Sequence, residues 1–248
     1  MRISRVYIDA ELVAGQIITL DKTRGHYLKH VLRLKPGAAF SLFNGRAAVD
    51  FEARLVVDGK HLMAEIGAAQ SLNTESEHAS EVIQGLARSD HVDWTIQKTT
   101  ELGVNKITIF NAERSQSPLK PALLAKKLAH WQGVAISACE QCGRALLPEI
   151  AFHAKLEQAL ETSSYSHKLL FTIDAKPLAT TLATRSSVSI LLGPEGGLNR
   201  QEIDLAREFG FQPVSLGPRV LRTETAATAA LAVIQSSLNI SPIKRANP

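Results

Sequence analysis

The stretch ILLGPEGG at 190–197 places aliphatic residues ahead of a proline and glycine turn that carries one carboxylate, Glu195. Further along, SLGPRVLRTETAAT at 215–228 repeats the plan: apolar run, glycine-proline turn, then a helix-forming stretch that opens with Arg222 and Thr223. A chain that leaves a buried strand through such turns can bring its backbone amides close to a ligand, although plain connections are built from the same residues. Neither stretch is a phosphate loop. The patterns G-x-G-x-x-G and G-x-x-x-x-G-K-[ST] are absent, and Glu195 would repel a phosphate. Tight backbone turns with carboxylates suit a neutral or cationic ligand read through its amides. S-adenosylmethionine, with its adenosine, sulfonium and amino-acid tail, has that character.

Two elements must hold these turns, and the chain changes grammar to supply them. Residues 1–70 read as short strands (RVYID, AAFSLFNG, AAVDFEARLVV, HLMAEIG) separated by Pro36-Gly37, Asn44-Gly45 and Asp58-Gly59. Asn-Gly and Asp-Gly are hairpin signals because both residues tolerate positive φ. One helical insert is expected at GHYLKHVLRL, which would set Lys29 and Arg33 on one face. The expectation is a small β-barrel over 1–70 and a polar linker over 71–80 (SLNTESEHAS). From 81 to 248 strands and helices alternate. EVIQGLAR, KITIF, HKLLFTI, VSILLG and PVSLG read as strands. Helices are expected from Asp90, as cap, to Gly103, from Pro121 to Gln141, and near 155–161, 199–209 and 222–238. That alternation predicts an α/β fold with a mostly parallel sheet, both glycine-proline loops lying at carboxyl strand ends, where ligands of open α/β sheets bind.

Composition bounds the class. The chain has 248 residues, 45% of them apolar and 21% charged, enough for a packed core and too few charges for disorder. No apolar run approaches the length of a membrane helix, and the N-terminus lacks a signal-peptide core, so a cytoplasmic protein with no membrane partner is expected. The net charge of +4 is concentrated early. Between Lys22 and Val49 stand Lys22, Arg24, Lys29, Arg33, Lys35 and Arg46 with no acid. A one-signed basic surface is what phosphate contacts require, and equally what a plain solvated face presents. Cys139 and Cys142 form a C-x-x-C pair late in a helical run, without further ligands at zinc spacing. An incidental pair, and no metal, is the expectation.

LLGPEGGLNRQEID with SLGPRVLRTETAATAAL resembles the C-terminal signature of the knotted SPOUT methyltransferases, and most closely that of the RsmE family. YLKHVLRLKPG, DWTIQKTTELGV at 93–104, ERSQ at 113–116 and EQCGR at 140–144 extend the resemblance over nearly the whole chain in order. The resemblance implies a PUA-like RNA-binding β-barrel followed by an α/β trefoil-knot methyltransferase domain. It also implies a homodimer and methylation of N3 of a uridine in 16S ribosomal RNA of the small ribosomal subunit, with S-adenosylmethionine as cofactor. Two rivals stay open: a non-catalytic RNA-binding ribosome-assembly factor, and methylation at another RNA position. A nucleotide-dependent oxidoreductase is disfavoured by the missing glycine fingerprint.

On that reading Leu192, Gly193, Gly197, Leu216, Gly217, Leu221, Arg222, Thr223, Thr225 and Ala226 line the cofactor pocket. Arg222, Glu195 and Arg114 are the catalytic candidates. Arg222 would hold the uracil oxygens or a phosphate, or else pair with Glu195 or Glu224. Glu195 would serve as a base, or fix its loop by accepting backbone N–H groups. Arg114 would reach the site or remain a surface arginine. Arg24, Lys29, Arg33, Arg88 and Arg144 are the candidates for RNA backbone contact.

Overall fold

The computed structural model describes residues 3–178 and 187–237. The chain divides into two compact units, one of residues 1–75 with 139–147 and one of 76–138 with 148–248.

In the first unit, strands β1 (Arg5–Tyr7), β2 (Ile17–Thr19), β3 (Ala39–Phe43), β4 (Val49–Asp58) and β5 (His61–Ser71) form one sheet in the order β1-β3-β4-β5-β2. Asp58 pairs with His61 across Gly59, whose φ of 57° suits the two-residue turn that joins β4 to β5. Phe40, Leu42, Ala53, Leu55, Ala64 and Ile66 alternate onto one buried face, with a register shift between Phe51 and Ala53. Strand β2 is an addition to the expected set: three residues carry too little alternation to read.

The helical insert differs from the expected continuous helix. Helix α1 (Lys22–His26), capped by Asp21, runs into a single π turn over Tyr27–Val31, and the Leu32 amide bonds the Tyr27 carbonyl at 3.0 Å. Arg33 then takes a φ of 54°, outside the helix. The π turn and this left-handed residue end the 3.6-residue period, so Lys29 and Arg33 do not share a helix face.

The second unit holds a six-stranded sheet in which every pairing is parallel, in the order β11-β9-β10-β6-β7-β8. Its strands are β6 (Ser80–Gly85), β7 (Lys106–Phe110), β8 (Glu149–His153), β9 (His167–Pro177), β10 (Val188–Leu192) and β11 (Gln212–Ser215). Between them run α2 (Ser89–Glu101), α3 (Pro121–Cys142), α4 (Leu156–Glu161), α5 (Arg200–Glu208) and α6 (Thr223–Ser237). Strand β8, EIAFH, is a further addition to the expected set. Asp90 does not cap α2; Arg88 occupies the cap position and Asp90 lies in the first turn.

Successive residues of the central strands point to opposite cores. Val82, Ile190 and Leu169 join the cluster containing Val92, Ile96, Trp131, Ala227 and Leu231, while Ile83, Leu191 and Leu170 join that of Leu160, Ala206 and Phe211. Helices α2, α3 and α6 therefore cover one face, and α4 and α5 the other. With both faces dry, β6 and β10 are buried along their whole length, as parallel strands require. Even Glu81 of β6, fully buried, is satisfied by the Ser163 and Ser189 hydroxyls at 2.6 and 2.8 Å, with Lys106 Nζ at 3.5 Å.

Candidate active site

Strand order reverses between β6 and β10, and the chain leaves both strands on the same side of the sheet through glycine. A Cβ on Gly85 would lie 2.5 Å from the Pro194 ring, and one on Gly193 would lie 2.8 Å from the Gly197 backbone. Only glycine lets the 193–197 loop fold this tightly against the end of β6. The turn closes through the Gly197 amide, which bonds the Pro194 carbonyl at 2.8 Å. Asn199 and Glu202 then form a reciprocal capping box that starts α5. Glu202 also accepts from the Glu113 amide at 2.9 Å, anchoring the 111–120 segment to the same corner.

The second loop, after β11, returns to the first. Thr223 at the start of α6 donates through its hydroxyl to the Gly193 carbonyl at 2.7 Å and accepts from the Gln84 side chain, whose amide also approaches the Gly193 carbonyl at 3.3 Å. The ends of β6, β10 and α6 are thereby tied at one point.

Above them opens a cleft of about 890 Å³. Every residue named from the sequence as cofactor-lining is on its wall except Thr225, which is exposed beyond it. On a helix, Thr223 and Ala226 are three residues apart and share a face, whereas Thr225 points elsewhere. Phe171 and Ile173 of β9, with Leu198 and Ile203, add apolar lining. Arg88, Arg200, Arg207, Arg219 and Arg222 stand around the rim against Glu195 and Asp174, making the cleft more cationic than the loops alone suggest.

Glu195 is held as a fixed carboxylate. Its Oε1 accepts from the Arg88 amide at 2.9 Å and lies 2.8 Å from His91 Nδ1. Burial pushes its pKa upward, but bonds from the Arg88 amide, its own amide and His91 outweigh that and hold it below the ordinary 4.5. Such a group is a weak base and a good staple for the loop. His91 was not singled out in the sequence. It lines the cleft from the first turn of α2 and also faces Glu224 Oε2 at 3.6 Å and Asp90 at 3.8 Å. The signal for it was position: it follows the carboxyl end of β6, next to the strand that carries ILLGPEGG.

Arg222 is on the cleft wall, and among the described residues the ion pairs of Glu195 and Glu224 run to His91 rather than to it. Arg114 is outside the cleft. It packs behind Gly196, donating to that carbonyl at 3.2 Å, and so supports the loop from the rear.

The basic candidates divide. Lys29 and Arg33 are exposed. Arg24 is partly engaged, at 3.2 Å from Glu140 and over the Tyr7 ring. Arg88 belongs to the cleft rim. Arg144 is misassigned as an RNA contact: it is 3% exposed and fixed by Glu75 at 2.8 Å, so it has no surface to offer a phosphate. Cys139 is buried, and burial pushes its thiol up to about 12, while Cys142 is partly exposed. That leaves Cys139 inert rather than redox-active. Among the described residues no group of three or more His, Cys, Asp or Glu side chains could hold a metal ion, and no helix is long and apolar enough to cross a membrane.

Comparison with known proteins agrees with this architecture. Residues 74–235 match the RNA methyltransferase domain family, and residues 20–62 match the RNA methyltransferase PUA domain. The fold is thus that of a SPOUT-type α/β methyltransferase with a PUA-like N-terminal domain. Ribosomal RNA small subunit methyltransferase E of Buchnera aphidicola (Schizaphis graminum) is 35% identical over 94% of this chain and 96% of its own length. A structure of the protein of the same name from Neisseria gonorrhoeae, bound to S-adenosyl methionine, is 36% identical with a TM-score of 0.86, covering 96% of this chain and 98% of that one. A Legionella pneumophila protein solved in complex with the cofactor SAM superposes with a TM-score of 0.90 at 35% identity, with the same coverage. The chain belongs to the ribosomal RNA small subunit methyltransferase E family.

Proposed function

We propose that the protein methylates N3 of a uridine in 16S ribosomal RNA of the small ribosomal subunit with S-adenosylmethionine as donor, acting in the cytoplasm as a homodimer. The observation that carries this reading is the cleft at the carboxyl ends of β10 and β11, which Thr223 and Gly193 close from two directions. Its lining fits the donor. Leu192, Leu216, Leu221 and Ala226 offer apolar surface to an adenine, and the 193–197 turn offers backbone groups to a ribose. Glycine at 197 and 217 adopts φ of 68° and 102°, a backbone conformation that L side chains rarely take, so both turns keep their shape only with glycine. Bound there, the donor supplies an electrophilic methyl group on a good leaving group.

The chain's own residues have the remaining tasks. The imide nitrogen of uracil is a poor nucleophile until its proton leaves, and the negative charge then spreads to the flanking carbonyl oxygens. Arginines at the rim, Arg222 foremost, stabilise that charge, and their fixed positions spare the reorganisation water would require. Glu195 staples the loop rather than taking the proton, in keeping with its lowered pKa. Lys29 and Arg33 bind phosphates from the N-terminal unit. The dimer reading is supported by Trp94 of α2 and Val233 of α6, apolar residues exposed on two helices that pack against each other. Light scattering at micromolar concentration tests it.

Mass mapping of small-subunit RNA from cells lacking the protein tests the activity. Loss of a single methyluridine, restored by the wild-type gene, is expected. An unchanged modification pattern would favour the non-catalytic assembly factor instead.

A further inference from the structure

A second cleft, of about 560 Å³, adjoins the cofactor cleft and shares two wall residues with it, Arg88 and Gln116. It lies between the start of α2, the 116–120 segment and the first turns of α3. Its floor is apolar, with the buried Leu86, Val92 and Leu119, and the exposed Leu123 lies on its wall. Its charged residues are Arg88, Lys120 and Lys127 against the single acid Asp90. Asp90 is 3.4 Å from the Arg88 guanidinium, which leaves the two lysines as the unbalanced positive charge of this site. Lys127 is held toward the α2 terminus by the Ser89 hydroxyl at 2.7 Å.

We infer that this cleft is the pocket for the target nucleotide, extruded from the RNA. The inference rests on the methyltransferase reading above and specifies where its substrate sits. N3 lies on the pairing edge of uracil, so no reagent reaches it while the base is paired; the base must be unpaired, in a single strand or by extrusion, and held in a pocket. That pocket has to open onto the donor site, be apolar enough for a pyrimidine ring, and be cationic at its mouth for the attached phosphates. The second cleft abuts the donor cleft at Arg88 and Gln116, has an apolar lining and carries Lys120 and Lys127. Lys120 and Lys127 take the phosphates of the extruded nucleotide, and the leucines take the ring.

The shared wall explains selectivity. Uracil presents two carbonyl oxygens on either side of N3. Arg88 and the Gln116 amide are hydrogen-bond donors standing at the junction of the two clefts. Holding one oxygen each, they leave N3 open toward the cofactor side and, together with Arg222 of the cofactor cleft, stabilise the charge that appears on the oxygens as the N3 proton leaves to water. Cytosine would be refused where its exocyclic amine, a donor, meets the donor-only Arg88 guanidinium.

The test separates the two clefts. Ser117→Trp and, separately, Leu123→Trp add bulk to the second cleft at residues that do not line the first. Lys120→Ala/Lys127→Ala removes its charge. Calorimetry gives the S-adenosylmethionine affinity of each variant, and transfer of labelled methyl to small-subunit particles from cells lacking the protein gives kcat and KM. The inference expects S-adenosylmethionine affinity within about twofold of wild type, kcat/KM down by roughly tenfold or more in the bulky variants, and a raised KM in the lysine pair. Bulky variants that transfer methyl at the wild-type rate would overturn it. So would an unchanged KM in the lysine pair, which decides the matter should a bulky variant lose cofactor binding as well. A wild-type protein that binds the donor and methylates no RNA would instead overturn the functional reading itself.

Discussion

The Thr223 hydroxyl donates to the Gly193 carbonyl at 2.7 Å, so the first residue of α6 and the first residue of the β10 loop are fastened to each other across thirty positions of sequence. The Gln84 side chain meets the same hydroxyl from β6. Thr223→Val keeps the shape and removes the bond. Its loss is expected to cost about 1 kcal/mol of stability and to weaken S-adenosylmethionine binding about tenfold, while Thr223→Ser retains both. Calorimetric titration beside thermal melts reads the two effects.

Glu195 provides a pH signature. Its folded pKa is below the ordinary 4.5, so the stabilisation it gives is complete above that value and is lost only as pH falls through the lower folded value. The stability difference between wild type and Glu195→Gln should therefore be level from neutral pH down to about 4.5 and shrink below it. A difference that fades already between about pH 7 and 5 would show that another group carries the loop.

Arg144 and the pair Lys29/Arg33 should respond in opposite ways. Arg144→Ala strands the Glu75 carboxylate in a largely buried setting and is expected to lower stability by about 3 kcal/mol. Lys29→Ala/Arg33→Ala should leave the melting temperature nearly unchanged and reduce the salt dependence of RNA binding by about 0.7–0.9 log units for each phosphate interaction removed. Filter binding over a salt series, with melts of the same proteins, distinguishes them.

Cys139 should resist alkylation. In a Cys142→Ser background its thiol, at about 12 in the fold against an ordinary 9.0, is expected to react with iodoacetamide at about pH 8.5 only after denaturant is added. Because the folded value is the higher one, stability is intact below about pH 9 and declines as pH rises toward 12. Rapid labelling of the native protein would contradict the burial.

The order of strands and helices was legible because buried parallel strands and amphipathic helices each carry their own period. The glycine-proline loops were legible because so few residues can make such turns. What escaped was set by partners distant in sequence. Strand β8 is five residues long and becomes a strand by pairing with β7. Arg144 reads as one more cation until Glu75, far away in the chain, is placed against it. His91 belongs to the cleft only because β6 and β10 are neighbours. Thr225 was assigned with its neighbours because a loop signature has no helical phase, and the first turn of α6 does.

The N-terminal unit is not a continuous piece of chain. Arg5, which grips Asp50 through Nε and Nη2, also donates to the carbonyls of Cys139 and Arg144, and the Tyr7 amide bonds Glu140. A gene fragment that stops at residue 75 omits all three of those acceptors. On the ribosome, likewise, the earliest strands emerge long before their last supports have been translated, so completion of this unit must wait for residues 139–147 to be made. Attempts to study RNA binding on an isolated N-terminal piece would begin from an unfinished molecule.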